Sequence, residues 1–510
     1  MMHGGEKSDP AIVAGKSANK DGRGSSEPME PRAGAEGNTV EHGTCRTLGR
    51  ASVSSGLDRV RQAARERKQG KFTALLHHVD VDLLRSAYGW LEKAAAAGVD
   101  GVSWRDYGEE LEGRLAALKD RVHRGAYRAL PSRRVYIPKP DGRQRPLGIA
   151  ALEDKIVQRA VVEVLNAIWE EDFLGFSYGF RPGRGQHDAL DALAVGIGQR
   201  QVNWILDADI AGFFDTVDHD WLVRFVEHRV ADRRIIRLIR KWLKAGVMED
   251  GEVRAGTVGT PQGAVISPLL ANIYLHYVFD LWAEQWRRRH ARGDVIVVRY
   301  ADDIVVGFEH RAEAERFVAA MRERMAAFRL SLHPEKTRLV EFGRFAAANR
   351  RGRGLGKPET FNFLGFTHIC GRSRRGAFQL KRKTRRDRMR AKLRAVKEEL
   401  ARRRHETVDE QGAWLAQVVR GFFAYHAVPT NFHALAAFRE HIADLWRRAL
   451  RTRSQKDATT WQRARVLKDR WLPKPRITHP WPSLRFAVRH PRWEPGAGMP
   501  HAGLCAGGVQ

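Results

Sequence analysis

The sequence predicts an α+β fold, an antiparallel sheet backed by helices and followed by an all-helical basic segment. Two observations carry this. Between residues 57 and 372, short β-branched or aromatic runs alternate with helical periodicity in the order β-α-β-β-α-β, the arrangement of a split βαβ sheet. After Arg372 the extended runs stop and the apolar spacing reads as helical.

Residues 1–56 are rich in Gly, Ser, Ala and Glu without periodicity and read as a disordered tail. Helical spacing then runs from Leu57 to about Gly125, broken at Gly98, Asp100 and Gly101. "RRVYIPKPDGRQRPLGI" (133–149) holds two short extended runs around a Pro-Asp-Gly turn and predicts a basic β-hairpin. A strong helix follows over 152–173, then the buried-type strand "VNWILDADI" (202–210) and two helical stretches from His219 to about Met248. "GTPQGAVISPLLANIYLHYVFDLWAEQW" (259–286) is a Gly/Pro loop leading into a long helix. "VIVVRYADDIVVGF" (295–308) reads as strand, tight turn and strand, and a helix over 312–328 precedes strands at "TRLVEF" and "FNFLGF". Three basic helices are expected between about 381 and 453.

The 510 residues carry 89 Lys and Arg against 60 Asp and Glu, a formal charge of +29. Residues 371–510 hold 32 of those cations and 11 of the anions, so +21 of the excess sits in the last quarter of the chain. Such a footprint points to a polyanionic partner. No apolar run reaches the length of a membrane span, and the N-terminus lacks an apolar signal core, so a cytoplasmic protein is expected. Cys45, Cys370 and Cys505 are far apart, which argues against a disulfide framework or a cysteine zinc site.

The sharpest local feature is "RYADDIVVG" (299–307), where Asp302 and Asp303 stand between apolar runs. Charge there is costly unless something pairs with it. Asp209 ends the other buried strand, so two neighbouring strands would bring three carboxylates to one sheet edge. Hard oxygen ligands converging in this way suit two Mg²⁺ ions held partly by substrate phosphates.

Six boxes in order carry a family resemblance: "IPKPDGRQRPLGI" (137–149), "DIAGFFD" (209–215), "TPQGAVISPLLANIYL" (260–275), "YADD" (300–303), "LHPEKT" (332–337) and "FLGF" (363–366). Together they resemble a group II intron-encoded reverse transcriptase/maturase, from about residue 70 to about residue 480. The resemblance implies a right-hand polymerase, with fingers and palm over 57–372, a helical thumb/maturase domain over 373–453, and a basic Pro/Trp-containing extension over 454–510. It implies RNA-directed DNA synthesis with Mg²⁺, or Mn²⁺ in its place. Implied partners are structured intron RNA, an RNA template with a DNA primer, dNTPs and target DNA.

Residue by residue, Asp209, Asp302 and Asp303 match the catalytic carboxylates, with the Ile210 carbonyl as a further metal ligand. Lys139 and Arg145 of the hairpin match triphosphate contacts, and Gln262 matches a residue that orders the incoming nucleotide. Phe214 falls where the family sets an aromatic ring beneath the sugar, excluding a 2′-hydroxyl. Lys336 matches the proton donor to leaving pyrophosphate. Longer members end in an endonuclease domain with Cys pairs, whereas only Cys505 lies beyond residue 453 here.

Three other readings compete. In an RNA-binding splicing chaperone polymerisation would be vestigial, but three clustered carboxylates without metal repel one another. A domesticated reverse transcriptase would lack an intron partner. An RNA-dependent RNA polymerase shares the Asp-Asp hairpin, but Phe214 and Ala301 stand against it, with Asp215 in its favour.

Overall fold

The computed structural model describes residues 47–138, 144–249, 251–254, 256, 259–260, 262–453 and 460–489. The described residues begin with helix α1 (Thr47–Glu66), which starts inside the stretch read as a disordered tail, followed by α2 (Val81–Gly89), α3 (Trp104–Gly108) and α4 (Leu111–His123). The side chain of Asp80 caps α2 by accepting from Leu83 N, and Ser103 and Asp106 form a reciprocal capping box on α3. Strands β1 (Ser132–Pro138) and β2 (Gln144–Ile149) pair antiparallel, as the sequence predicts. Helix α5 (Leu152–Asp172) is buried on nearly every face and packs against α1 and α2.

After α6 (Gln186–Gln199) come β3 (Trp204–Asp209) and helices α7 (Phe213–Thr216), α8 (His219–Glu227) and α9 (Arg233–Lys244). The last buries Ile235, Ile236, Leu238, Ile239, Trp242 and Leu243, the stripe of an amphipathic helix. Two three-residue strands follow, β4 (Val247–Glu249) and β5 (Glu252–Arg254). The sequence gives no sign of them. They extend the first hairpin to the order β2-β1-β4-β5, with β4 parallel to β1.

Helix α10 (Ser267–Leu275) continues through a π-helical turn (His276–Asp280) into α11 (Leu281–His290). Strands β6 (Val295–Tyr300) and β7 (Asp303–Phe308), helix α12 (Arg311–Ala327) and β8 (Arg338–Glu341) complete a second, wholly antiparallel sheet in the order β6-β7-β3-β8. Alternation divides its side chains between two cores. Leu206, Ala208, Val297, Ile304 and Val306 face α12, while Ile205, Ile296, Val298 and Val305 face α6. Burial on both faces is why these strands read as continuous apolar runs.

Beyond α13 (Ala346–Gly352), "FNFLGF" is a tight hairpin rather than one strand. β9 (Phe361–Phe363) turns through Leu364 (φ 45°) and Gly365 (φ 78°) into β10 (Phe366–Arg372), and Phe363 pairs with Phe366. A further strand, β11 (Phe378–Thr384), lies beyond Arg372, where the sequence reads as helical, and pairs with β10 along its whole length. Its "KRKT" end (381–384) falls at the start of the segment read as basic helices.

Helices α14 (Arg386–Arg402), α15 (Val408–His426), α16 (Phe432–Arg451), α17 (Trp461–Trp471) and α18 (Pro482–Arg489) follow. Phe422, Phe423, Phe438 and Trp446 form their core, and Phe422 stacks on Phe438 with ring centroids 3.7 Å apart. Trp414 is only half buried, beneath the Arg403 guanidinium. The loop before α16 is tied to β11: Arg382 N donates to Thr430 Oγ1 (2.9 Å) and Thr384 N to Asn431 Oδ1 (3.0 Å). Helix α18 folds back onto α6.

Candidate active site

Asp209 ends β3 and Asp303 begins β7, and the antiparallel register sets them directly opposite each other. Both share the α6-facing side of the sheet with Ile205 and Val305, and both are buried, at 3% and 7% exposure. Asp302 is half buried in the two-residue turn that closes β6 on β7. Its neighbour Ala301 is left-handed (φ 55°), a conformation uncommon outside glycine. The segment after α12 then comes alongside. Ala211 N donates to Ser331 O and His333 N to Asp209 O, each at 2.8 Å, leaving Ile210 buried in a bridge with Leu332. Three residues further on, Lys336 returns to the site and donates from Nζ to Asp209 Oδ2 at 3.3 Å.

Four predicted residues, Asp209, Asp302, Asp303 and Lys336, therefore meet at one end of the sheet, with Ile210 beside them. Among the described residues no three His, Cys, Asp or Glu side chains close into a ready-made metal cage. The donors nevertheless fit a hard divalent cation. They are all oxygen, and two of them are buried carboxylates facing each other with one lysine ammonium against Asp209.

Phe214 differs from its neighbour. Phe213 is a core residue at 3% exposure, whereas Phe214 is half buried, its ring edge-on to Phe213 at 5.5 Å. The Gly/Pro loop ties this segment to the first hairpin. Thr260 N donates to Phe214 O at 2.7 Å, and Gly148 N donates to Gln262 O at 2.6 Å. Gly263 is left-handed (φ 114°), and a Cβ there would lie 2.6 Å from Gly148 O, so only glycine permits this approach. Arg145, half buried on β2 opposite Ile137, is three residues from that contact. Lys139 lies outside the described residues.

Residues 137–368 match the family described as "Reverse transcriptase (RNA-dependent DNA polymerase)". Protein YkfC of Escherichia coli K12 is 35% identical over 334 residues, covering 57% of this chain and 83% of that protein. Group II intron-encoded protein LtrA of Lactococcus lactis subsp. cremoris is 36% identical over 226 residues, 43% of this chain and 37% of LtrA. The chain belongs to the group II intron reverse transcriptase/maturase family. A yeast relative, the "Putative COX1/OXI3 intron 1 protein" of Saccharomyces cerevisiae, is 31% identical over 221 residues, 42% of this chain and 26% of its own length. The matched segment of this reverse transcriptase runs from β1 into β10 and so contains the whole carboxylate edge. Among the described residues no helix is long and apolar enough to cross a membrane.

Two polar clusters escaped the sequence reading. Arg299, two residues before the turn, is fully buried against Asp280. Asp191 on α6 is buried between Arg382 of β11 and Arg485 of α18. A signal for the first was present, since an arginine inside "VIVVRY" poses the same burial question as the aspartates.

Proposed function

We propose that this protein is an RNA-directed DNA polymerase of the right-hand type, which also binds a structured intron RNA and assists its splicing and retrohoming. The observation that carries the polymerase reading is the cross-strand pair Asp209 and Asp303, with Asp302 in the adjoining turn. In this reading the sheets β2-β1-β4-β5 and β6-β7-β3-β8 belong to fingers and palm, and helices α14 to α16 form the thumb.

Asp209, Asp302 and Asp303, with the Ile210 carbonyl, would hold Mg²⁺ or Mn²⁺. Bound there, the divalent ions would make the primer 3′-hydroxyl more acidic and offset charge on the transferring phosphate. The remaining roles belong to side chains. Arg145, on the strand that also anchors Gln262, suits bidentate contact with a triphosphate. Gln262 is held through its backbone carbonyl, and its side-chain amide would order the incoming nucleotide. The half-buried ring of Phe214 would lie under the sugar and exclude a 2′-hydroxyl. Lys336, hydrogen-bonded to Asp209, would give a proton to leaving pyrophosphate. The basic faces of the C-terminal helices would follow RNA phosphates, which suits recognition by shape and backbone.

The test is primer extension on an RNA template with Mg²⁺, offering dNTPs or rNTPs, with and without the host intron RNA. Extension with dNTPs and tighter binding of intron RNA than of an unrelated RNA of equal length are expected. RNA binding without any extension would replace the polymerase reading with that of a splicing chaperone.

A further inference from the structure

Arg299 occupies the fifth position of β6, on the face turned toward α10, and its side chain is wholly buried. A buried guanidinium is tolerated only when its charge is paired and each of its five N–H groups finds an acceptor. Five acceptors are present. Nε donates to Asp280 Oδ1 (2.7 Å) and Nη2 to Asp280 Oδ2 (2.6 Å), a bidentate pair. Nη2 also donates to Ser177 Oγ (2.6 Å), and Nη1 to Asn272 Oδ1 (2.9 Å). The fifth bond runs from Nη1 to the carbonyl of Ala301 (3.0 Å), the left-handed residue of the carboxylate turn.

The surroundings lock the same turn from its other side. Asn272 turns its amide to donate to Gly179 O (2.7 Å), and a Cβ on Gly179 would lie 2.3 Å from Ala301 N. Arg299 N donates to Phe176 O and Tyr178 N to Arg299 O, each at 2.9 Å, which holds the 176–179 segment along β6. Asp280 closes the π-helical turn between α10 and α11, the kind of irregularity often kept where a side chain must be re-aimed. Neutralising the guanidinium needs Asp280 alone. The bonds to Ala301 and Asn272 instead connect that ion pair to the backbone from which Asp302 and Asp303 project.

We propose that Arg299 is a positioning residue for the polymerase carboxylates: anchored on Asp280, it fixes the left-handed Ala301 turn and thereby the placement of Asp302 and Asp303. This rests on the polymerase reading of that edge.

The experiment uses the full chain and its variants Arg299→Lys, Gly179→Ala and the double variant Arg299→Lys/Ala301→Gly. Five quantities are measured: kcat and KM for dNTP on an RNA template, Mn²⁺ affinity by electron paramagnetic resonance, affinity for the template–primer, and the thermal midpoint. Arg299→Lys keeps a cation beside Asp280 but lacks the planar fork that reaches Ala301. Its kcat is expected to fall on the order of 100-fold, with weaker Mn²⁺ binding and little change in dNTP KM or template affinity. Glycine adopts the left-handed conformation unaided, so Ala301→Gly should restore about ten-fold of that loss, the scale of the penalty alanine pays there. Gly179→Ala, which pushes the turn while leaving the ion pair intact, should lower kcat and Mn²⁺ affinity in the same way and serves if Arg299→Lys does not fold.

A folded Arg299→Lys with unchanged kcat and Mn²⁺ affinity would overturn the proposal. So would a kcat loss that follows the thermal midpoint and is not relieved by Ala301→Gly, since Arg299 would then be a stabilising ion pair only. Normal kcat and Mn²⁺ affinity in Gly179→Ala would overturn it as well. A wild-type chain that binds Mn²⁺ but does not extend the primer would sink the polymerase reading, and the Mn²⁺ affinities would still decide whether Arg299 sets the carboxylates.

Discussion

Lys336 pairs with Asp209 across 127 positions of sequence, Nζ to Oδ2 at 3.3 Å, with both side chains at least nine-tenths buried. Removing the lysine leaves a buried carboxylate short of its cation, a loss of roughly 1–3 kcal/mol. A divalent ion can stand in for that cation. Lys336→Ala should therefore be less stable than wild type in chelator, and most of the difference should vanish in millimolar Mg²⁺. Urea midpoints in the two buffers measure this, and an equal deficit in both would show that the ion does not reach Asp209.

Asp302→Ala should abolish primer extension while affinity for template–primer stays within a few-fold, because the basic C-terminal segment proposed to follow phosphates is untouched. Asp302 is half exposed in its turn, so the fold should survive with a stability change within about 1 kcal/mol. Retained extension would remove Asp302 from the metal-binding set.

Of the adjacent phenylalanines, only Phe214 is exposed enough to meet a sugar. Phe214→Ala should raise the use of rNTPs relative to dNTPs by at least about ten-fold, the effect of losing 1.4 kcal/mol of steric discrimination. Phe213→Ala should instead destabilise the protein by about 3–5 kcal/mol, as a large-to-small core change does. Competitive incorporation assays and unfolding curves separate the two, and unchanged nucleotide selection in Phe214→Ala would return that ring to the core.

How much of this was legible beforehand depended on whether the signal was local. The β-branched runs flanking Asp302 and Asp303 announce strands buried on both faces, and the Pro-Asp-Gly turn announces the first hairpin. β4 and β5 span three residues each, too few for a period to register. "FNFLGF" hides a hairpin because its aromatic residues continue through Leu364 and Gly365, and only the positive φ of both shows the turn. The ion pairs were out of reach for another reason. Asp191 meets Arg485 over 294 positions and Arg382 over 191, and no short window contains both partners.

That Asp191 cluster fastens the C-terminal segment. Arg382 Nη1 stands 3.1 Å from Asp191 Oδ1, Arg485 donates from Nε to Asp191 Oδ2, and its Nη1 lies 3.1 Å from His479 Nδ1. Arg485→Ala should loosen helix α18 from α6 while Arg382 keeps the Asp191 charge paired. Hydrogen exchange over 472–489 should rise, and global stability should fall by roughly 1–3 kcal/mol. Unaltered exchange across that segment would mean that Phe486, buried in the α6 core, holds the helix by itself.

The same region carries a pH dependence with a definite sign. His187 packs between His479 and Tyr425, at ring-centroid distances of 4.0 and 5.0 Å, and neither ring nitrogen has a hydrogen-bond partner among the described residues. Burial, reinforced by His479, Arg485, Arg382 and His426, pushes its pKa down to about 2. Burial likewise lowers His426 to about 3 and His276 to about 4. In the unfolded chain each returns to about 6.5. Below that pH the unfolded state binds more protons than the folded one. The stability that neutral burial supplies is complete above about 6.5 and drains away as the solution acidifies, by at most about 1.4 kcal/mol per pH unit for each ring. Asp154 and Asp172, raised by burial to about 6, work in the opposite direction between their unfolded values and 6, so the wild-type curve is a difference between the two sets. His187→Phe removes one histidine and leaves the aspartates in place. Between pH 7.5 and 5 the variant should lose less stability than wild type, by about 1–2 kcal/mol in urea titrations. Parallel curves would mean that His187 is protonated in the folded protein.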